Sequence, residues 1–270
     1  MTTYDREQFR TTFDSAARSY HEARPDYPDA LYDQLIGLTG ITPDDPVLEI
    51  GCGTGKATTP LARLGYRITG VELGAALADE ARRNLAEFPR VDVITANVED
   101  WAAGNGNDGA FGLIMVATAW HWIDPDQRYH LAARLLRPGG HLAFWSAVHV
   151  LAEDGDPFFR QIQDVYDEIG EGVPPGWAFH TPATLPDSRA EIEATGLFTD
   201  IAVRRFDWEI QYTAQEYIRL LDTFSGHIAM EPWQRDRLQA EIRRRLALRP
   251  DGRLRRHWGL VLNVARTSEA

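Results

Sequence analysis

Cysteine is nearly absent from this chain: Cys52 is the only one in 270 residues. A lone thiol excludes an internal disulfide framework and any multi-cysteine zinc site. Lysine is as scarce, with Lys56 the single example among 28 basic residues. Positive charge is outweighed, since 40 acidic residues leave a formal net charge of −12. That balance argues against polyanion binding over the whole surface, which rests on summed attraction between Lys/Arg and phosphate. No apolar run approaches the roughly 18–20 residues that span a bilayer. The first residues, Tyr4-Asp5-Arg6-Glu7, carry neither a basic head nor an apolar stretch, so no signal peptide is expected and the prediction is a cytoplasmic protein without a membrane partner. Repeats of fixed period and low-complexity tracts are also missing. The eight histidines show no H-E-x-x-H or comparable spacing, so no metal site is expected.

What is present is an ordinary globular composition, 44% hydrophobic and 25% charged, enough to bury one large core. Apolar positions at helical spacing predict helices over 5–20 and 28–38, broken at Pro25 and Pro28. An alternation follows: strands at Val47–Ile50, Arg67–Val71, Val91–Thr95, Phe111–Ala117 and His141–Trp145, with helices at Ala57–Leu64, Ala75–Glu87 and Gln127–Leu136 between them. Pro138-Gly139-Gly140 is read as a turn into the fifth strand. Strands alternating with helices imply a parallel sheet covered on both faces. After Ala147 the rhythm changes, to helices at Phe158–Ile169, Asp187–Thr195 (Asp187 as cap, Gly196 as stop), Ala214–Thr223 and Trp233–Leu248, and strands at Ile201–Ile210 and Trp258–Ala265.

The most informative stretch is Val47-Leu48-Glu49-Ile50-Gly51-Cys52-Gly53-Thr54-Gly55-Lys56. A strand runs into three alternate glycines and then a helix, an arrangement that lets backbone approach a ligand at a helix N-terminus. A dinucleotide fingerprint would need glycine where Lys56 stands. A Walker A loop ending at Gly55-Lys56 would need glycine at Ile50 and a hydroxyl at Ala57. Both phosphate-loop readings fail.

The run E-I-G-C-G-T-G resembles the first motif of the class I S-adenosylmethionine-dependent methyltransferases. Three further stretches resemble that family in the same order: Gly70-Val71-Glu72-Leu73 after the second strand, Ala96-Asn97-Val98-Glu99-Asp100 after the third, and Leu136-Arg137-Pro138-Gly139-Gly140 before the fifth. The resemblance spans roughly residues 45–146 and implies a Rossmann-like, mostly parallel seven-stranded sheet with helices on both faces. Outside that span, the change of rhythm after Ala147 and the helical spacing before residue 40 predict an α-helical cap from the N-terminus and from C-terminal insertions, giving a lid at 1–40, a cofactor-binding core at 41–147, and cap insertions plus the last two strands at 148–270. S-adenosylmethionine would then be the cofactor, with S-adenosylhomocysteine as product. Its amino-acid part would meet Glu49, Gly51, Gly53 and Gly55, and Ala117 would sit at the end of strand four. Glu72 would hold both ribose hydroxyls, since a carboxylate offers two acceptor oxygens to two O–H donors. Leu73, Asn97 and Val98 would stand beside the nucleoside; the family usually has Asp where this chain has Asn97, whose oxygen can still accept from the adenine amino group. The segment Tyr20-His21-Glu22-Ala23-Arg24-Pro25, together with Trp120-His121-Trp122, resembles the small-molecule members of trans-aconitate methyltransferase type. There this leader closes over the cofactor, which suggests contacts from Tyr20 and Arg24.

Trp120 and Trp122 flank His121 at the end of a strand, where open sheets bind ligands. The tryptophans are candidate pocket walls, against a reading as core aromatics, and His121 a candidate base or orienting group, against a structural one. Trp177, His227 and His257 are candidates for a substrate mouth. Residues 231–257 hold nine arginines against four acids. That run is either a solvated helix face or the source of an arginine reaching inward to a substrate carboxylate or phosphate. The expected function is methyl transfer to an O- or N-nucleophile of a small molecule, with no nucleic-acid partner. The alternatives are an RNA or protein methyltransferase, and a cofactor-binding protein without transfer chemistry or with a cyclisation activity. A homodimer is left open.

Overall fold

The computed structural model describes residues 17–104, 106–174 and 176–268. Most of the helix expected over 5–20 therefore lies outside the described residues. Helix α1 covers Ala17–Ala23 and α2 Asp29–Thr39. The latter stops where Gly40 takes φ +63° and its N–H donates to the Ile36 carbonyl, a left-handed cap that a Cβ would strain.

Five parallel strands follow: β1 Pro46–Ile50, β2 Arg67–Glu72, β3 Val91–Thr95, β4 Phe111–Ala117 and β5 Leu136–Trp145. They alternate with α3 Thr58–Arg63, α4 Ala75–Asn84, α5 Val98–Gly104 and α6 Arg128–Leu135. Their order is β3-β2-β1-β4-β5, so the chain reverses its direction of travel between β1 and β4. Neighbouring residues on one strand enter opposite cores. Val47, Leu113 and Met115 join Leu31, Leu35, Leu61 and Ala81 of α2–α4 on one face. Leu48, Ile114 and Val116 join Val98, Ala102, Leu131 and Leu135 of α5 and α6 on the other. That two-sided burial is why these strands read as unbroken apolar runs.

Three more strands, β6 Val148–Val150, β7 Phe198–Thr213 and β8 Arg253–Thr267, complete an eight-stranded sheet. Along one edge β8 pairs antiparallel first with β6 and then with β5; along the other it pairs with β7 over its whole length. The sheet thus has one strand more than the seven expected, because three residues after β5 re-pair with β8 beyond its end. Pro138-Gly139-Gly140 also departs from expectation. It lies inside β5 as a bulge between the pairs Phe111–Leu136 and Leu113–His141, with Gly139 at φ +72°.

The β7–β8 ribbon runs out of the sheet into a helical cap of α7 Phe158–Gln161, α8 Gln163–Glu168, α10 Ala214–Leu221, α11 Ser225–Ala229 and α12 Pro232–Ala247. Helix α9, Arg189–Thr195, packs instead on the sheet through Ile192; Asp187 accepts from the Arg189 N–H at 3.1 Å, and Gly196 ends it at φ +66°. The single helix expected over 158–169 is interrupted at Ile162. Thr213 and Glu216 form a reciprocal capping box that starts α10. Trp258, Phe158, Leu220, Leu238 and Ile242 make a separate cap core. Among the described residues, no helix is long and apolar enough to cross a membrane.

Candidate cofactor and substrate site

The reversal between β1 and β4 opens a crevice at the carboxyl ends of the strands, the usual ligand position in such sheets. A cavity of about 390 Å³ fills it. Gly51 and Gly53 from the β1 loop, Glu72 and Leu73 from β2, Val98 from α5 and Ala117 from β4 all line it, as do Tyr20 and Arg24 of the leader. A smaller cavity of about 60 Å³ adjoins it, and Glu49 joins the glycine loop, Tyr20, Arg24 and Ala117 in its wall.

The glycines differ in their reasons. Gly53 sits at φ +56° with nothing within 4 Å of where a Cβ would be, so its missing side chain leaves free space on the cavity side. Gly51, at φ +69°, would place a Cβ 2.6 Å from that of Ala119; glycine here is a packing requirement. Gly55 does not line the cavity and instead leaves room for the Leu85 side chain, 2.8 Å from a notional Cβ.

Glu72 fixes the loop. Gly53 N–H donates to one carboxylate oxygen at 2.9 Å and Gly74 N–H to the other at 2.8 Å. Each oxygen accepts from one of these amides. Glu49 is 1% exposed; one of its oxygens accepts from the Thr58 hydroxyl at 2.6 Å, and the other is buried without a partner. Burial, opposed by the Thr58 hydrogen bond and helped by the nearby Glu72 charge, pushes its pKa up to about 8. A cation entering the smaller cavity would meet an acceptor with nothing else to bond. Carboxylate oxygens are the acceptors that N–H and O–H donors, such as an ammonium group or a diol, require.

The leader is strapped across the site at both ends. His21 hydrogen-bonds through Nδ1 to the Thr54 hydroxyl at 2.9 Å, and Lys56 Nζ reaches Asp26 at 2.7 Å. Arg24 donates to the Thr223 hydroxyl at 2.8 Å and to its carbonyl at 2.7 Å, with its guanidinium 4.1 Å from the Phe224 ring centroid. Phe224 and Ser225 line the cavity from the cap. Thr118, one of two described non-glycine residues at positive φ (+57°), turns β4 in its wall and shares a 2.8 Å hydroxyl contact with Tyr27. Sequence reasoning counts Phe224 only among the cap aromatics suited to an apolar pocket and gives no such role to Thr118 or Ser225, because their place depends on distant elements of the chain.

The remaining expected site residues separate. His121 and Trp122 line the cavity. Desolvation at its rim, with the Arg128 guanidinium adding to it, lowers the pKa of His121, so the imidazole is neutral near pH 7 and able to accept a proton. Trp120 turns the other way: it is buried, stacked on Phe144 at 4.7 Å and edge-on to Tyr129 at 5.0 Å. The 3₁₀ turn sends Trp120 into the core and leaves His121 and Trp122 at the cavity, so the two indoles do not share a wall. Asn97 is outside the lining; its side-chain oxygen accepts from the Glu99 and Asp100 N–H groups at 2.8 and 3.2 Å, an α5 cap rather than a free acceptor for adenine. Trp177 is 47% exposed and packs on Phe179. His227 bonds the Tyr166 hydroxyl at 2.8 Å, and His257 lies 3.5 Å from Glu209; none of these three lines the cavity. Cys52 is buried, its pKa pushed up by burial, which makes it inert as a nucleophile. Among the described residues no group of three or more His, Cys, Asp and Glu is placed to hold a metal ion.

Comparison with known proteins adds to this geometry. Residues 47–140, from β1 through the bulge of β5, match the family model described as a methyltransferase domain. An uncharacterized methyltransferase of Mycobacterium tuberculosis is 27% identical over 249 residues, 92% of this chain and 90% of its own length. Among solved structures, a candidate type II methyltransferase from Anaeromyxobacter dehalogenans superposes with a TM-score of 0.63 at 23% identity, covering 92% of this chain and 99% of that one. The phosphoethanolamine N-methyltransferase 2 of Haemonchus contortus, solved with phosphomonomethylethanolamine and S-adenosylhomocysteine, has a TM-score of 0.55 at 14% identity over 99% of this chain and 60% of its own. The matched domain and the full-length relatives support methyl transfer from S-adenosylmethionine as the chain's activity, and the structural neighbours share its fold. None of them fixes the methyl acceptor.

Proposed function

We propose that this enzyme methylates an O- or N-nucleophile of a small organic molecule in a capped pocket. The observation that carries the reading is that leader residues Tyr20 and Arg24 and cap residues Phe224 and Ser225 line the same cavity as the glycine loop and Glu72. A macromolecular substrate would need an open groove, and the arginines that could line one are largely engaged. Arg237, Arg244, Arg245, Arg249 and Arg255 are paired with Glu168, Glu241, Asp164, Asp156 and Glu209.

In this reading the chain works as a lid over 1–40, a cofactor core over 41–147, and cap insertions with the last strands over 148–270, acting in the cytoplasm. S-adenosylmethionine, when bound, supplies an electrophilic methyl group on a sulfonium. The backbone at Gly51 and Gly53 approaches its amino-acid part, and the unpartnered Glu49 oxygen receives the ammonium, which draws the carboxyl back to its ionised form. Glu72 accepts the two ribose hydroxyls, and Leu73, Val98 and Ala117 form apolar walls of the cofactor cleft. Transfer is an in-line displacement, so the protein's task is to align the acceptor and exclude water. Trp122 walls the acceptor side. His121 orients an acceptor hydroxyl or ammonium and takes its proton; a carboxylate acceptor would use it for orientation alone.

The test is calorimetry with S-adenosylhomocysteine followed by its release from S-adenosylmethionine against a panel of small metabolites. Binding plus turnover on a panel member supports the reading. Binding with methylated RNA or protein, or with a cyclised product, would replace it.

A further inference from the structure

The arginine-rich stretch contains one member unlike the rest. Six of the nine arginines between 231 and 257 (237, 244, 245, 249, 253 and 255) make ion pairs with acids. Arg235 and Arg243 lie on the cap surface in α12. Arg256 is 5% exposed, has no carboxylate in ion-pair contact among the described residues, and has its Nε buried without a hydrogen-bond partner. Alternation along β8 explains its burial: Leu254, Arg256 and Trp258 all point into the cap core.

Its surroundings offer no counter-charge. The guanidinium lies 4.3 Å from the Trp258 ring centroid, 5.4 Å from that of Phe224 and 5.9 Å from that of Tyr217. The phenols of Tyr217, Tyr212 and Tyr166 favour its charge, Tyr217 as a hydrogen-bond partner, while Arg24, a second cation, opposes it and the imidazoles of His149 and His227 also feel it. Two further nitrogens in the same region, Nε2 of His149 and Nδ1 of His257, are buried without partners. Arginine keeps its proton even when buried, so the cap carries a full positive charge that the described chain leaves unmatched. Such a charge is strongly unfavourable unless something pairs with it. Phe224 connects this charge to the cavity: its ring lines the cavity and lies between Arg24, at 4.1 Å, and Arg256.

We propose that Arg256 is the receptor for an anionic oxygen group, carboxylate or phosphate, carried by the methyl-acceptor substrate, with the Phe224 ring as the side chain that yields to admit it. The proposal deepens the methyl-transfer reading of the cavity and rests on it. An anion arriving from the cavity would neutralise Arg256 and give its free N–H a charge-assisted partner. It would also tie the far end of the substrate to the cap while the reacting atom faces the methyl donor.

The experiment uses the full chain saturated with S-adenosylhomocysteine. Binding of sodium succinate, sodium benzoate and inorganic phosphate is measured by calorimetry, beside the neutral succinamide and benzamide. At least one anion is expected to bind, about tenfold or more tighter than its neutral counterpart where one exists, and Arg256→Gln should remove that preference while leaving S-adenosylhomocysteine affinity within about twofold. Preference for the organic acids assigns a carboxylate, preference for phosphate a phosphoryl group. Arg256→Met, which deletes the unmatched charge and keeps an apolar stem, should melt at or above the wild-type temperature without ligand. No anion preference in the wild type, an unchanged preference in Arg256→Gln, or an Arg256→Met protein that fails to fold would each overturn the proposal. Wild-type protein that does not bind S-adenosylhomocysteine at all would overturn the methyl-transfer reading beneath it instead.

Discussion

Replacing Gly53 by alanine should separate the stability of the glycine loop from its ligand function. The residue sits at φ +56° and a Cβ there meets nothing within 4 Å, so the fold bears only the left-handed strain of a non-glycine residue, about 1–2 kcal/mol. For a chain of this size that lowers Tm by roughly 2–8 °C. The added methyl group enters the space through which backbone and cofactor would meet. Overpacking at such a contact costs about 1–3 kcal/mol, which is about 5- to 150-fold in affinity. Gly51→Ala is the control, because its Cβ would fall 2.6 Å from that of Ala119 and should damage the fold itself. Melting without ligand and calorimetry with S-adenosylhomocysteine give the two numbers for each variant. A folded Gly53→Ala protein that binds as tightly as wild type would refute the assignment of this loop to the cofactor.

Glu72→Ala removes two ionised acceptors and strands the Gly53 and Gly74 N–H groups. At about 1.5–3 kcal/mol per charged hydrogen bond, calorimetry should record a loss on the order of 10²–10⁴-fold for S-adenosylhomocysteine. His121→Ala should lower kcat by about 10²–10⁴ if the imidazole takes the acceptor's proton, with cofactor affinity nearly intact; equal loss of both would make the residue structural. Burial, with Arg256 adding to it, lowers the pKa of His149 to about 2 and of His227 to about 4. The unfolded chain therefore binds more protons than the native one below the ordinary histidine value of about 6.5. Each histidine should then cost stability as pH falls, at about 1.4 kcal/mol per unit, from there down to its own folded pKa. Urea melts at pH 7, 6 and 5 measure the slope, and His149→Gln with His227→Gln should flatten it; an unchanged slope would contradict the burial argument.

The core was legible because its physics is local. Val47–Ile50 and Phe111–Ala117 are buried on both faces, so their apolar runs are continuous, and the glycine loop announces itself by composition. The cap was less legible for reasons particular residues show. In β8 the arginines between 253 and 256 mask an alternation in which Leu254 and Arg256 are buried, so the strand reads as starting at Trp258. Asn97 could be matched to a motif, but its backbone setting gives its oxygen to the α5 N-terminus. The Trp120-His121-Trp122 run was placed at the right edge, yet the 3₁₀ turn divides it, sending Trp120 into the core and the other two to the cavity. Which of the nine arginines is buried without an acid depends on long-range pairs such as Arg249 with Asp156, 93 residues away, and no spacing in the sequence records that.

The central claim is that a cavity lined jointly by core, leader and cap serves a small acceptor. Its most direct test is to incubate the enzyme with methyl-labelled S-adenosylmethionine and a cell extract separated into low-mass and macromolecular fractions. The account predicts enzyme-dependent label in the low-mass fraction, abolished by Glu72→Ala. Label confined to RNA or protein, or no transfer despite bound cofactor, would contradict it.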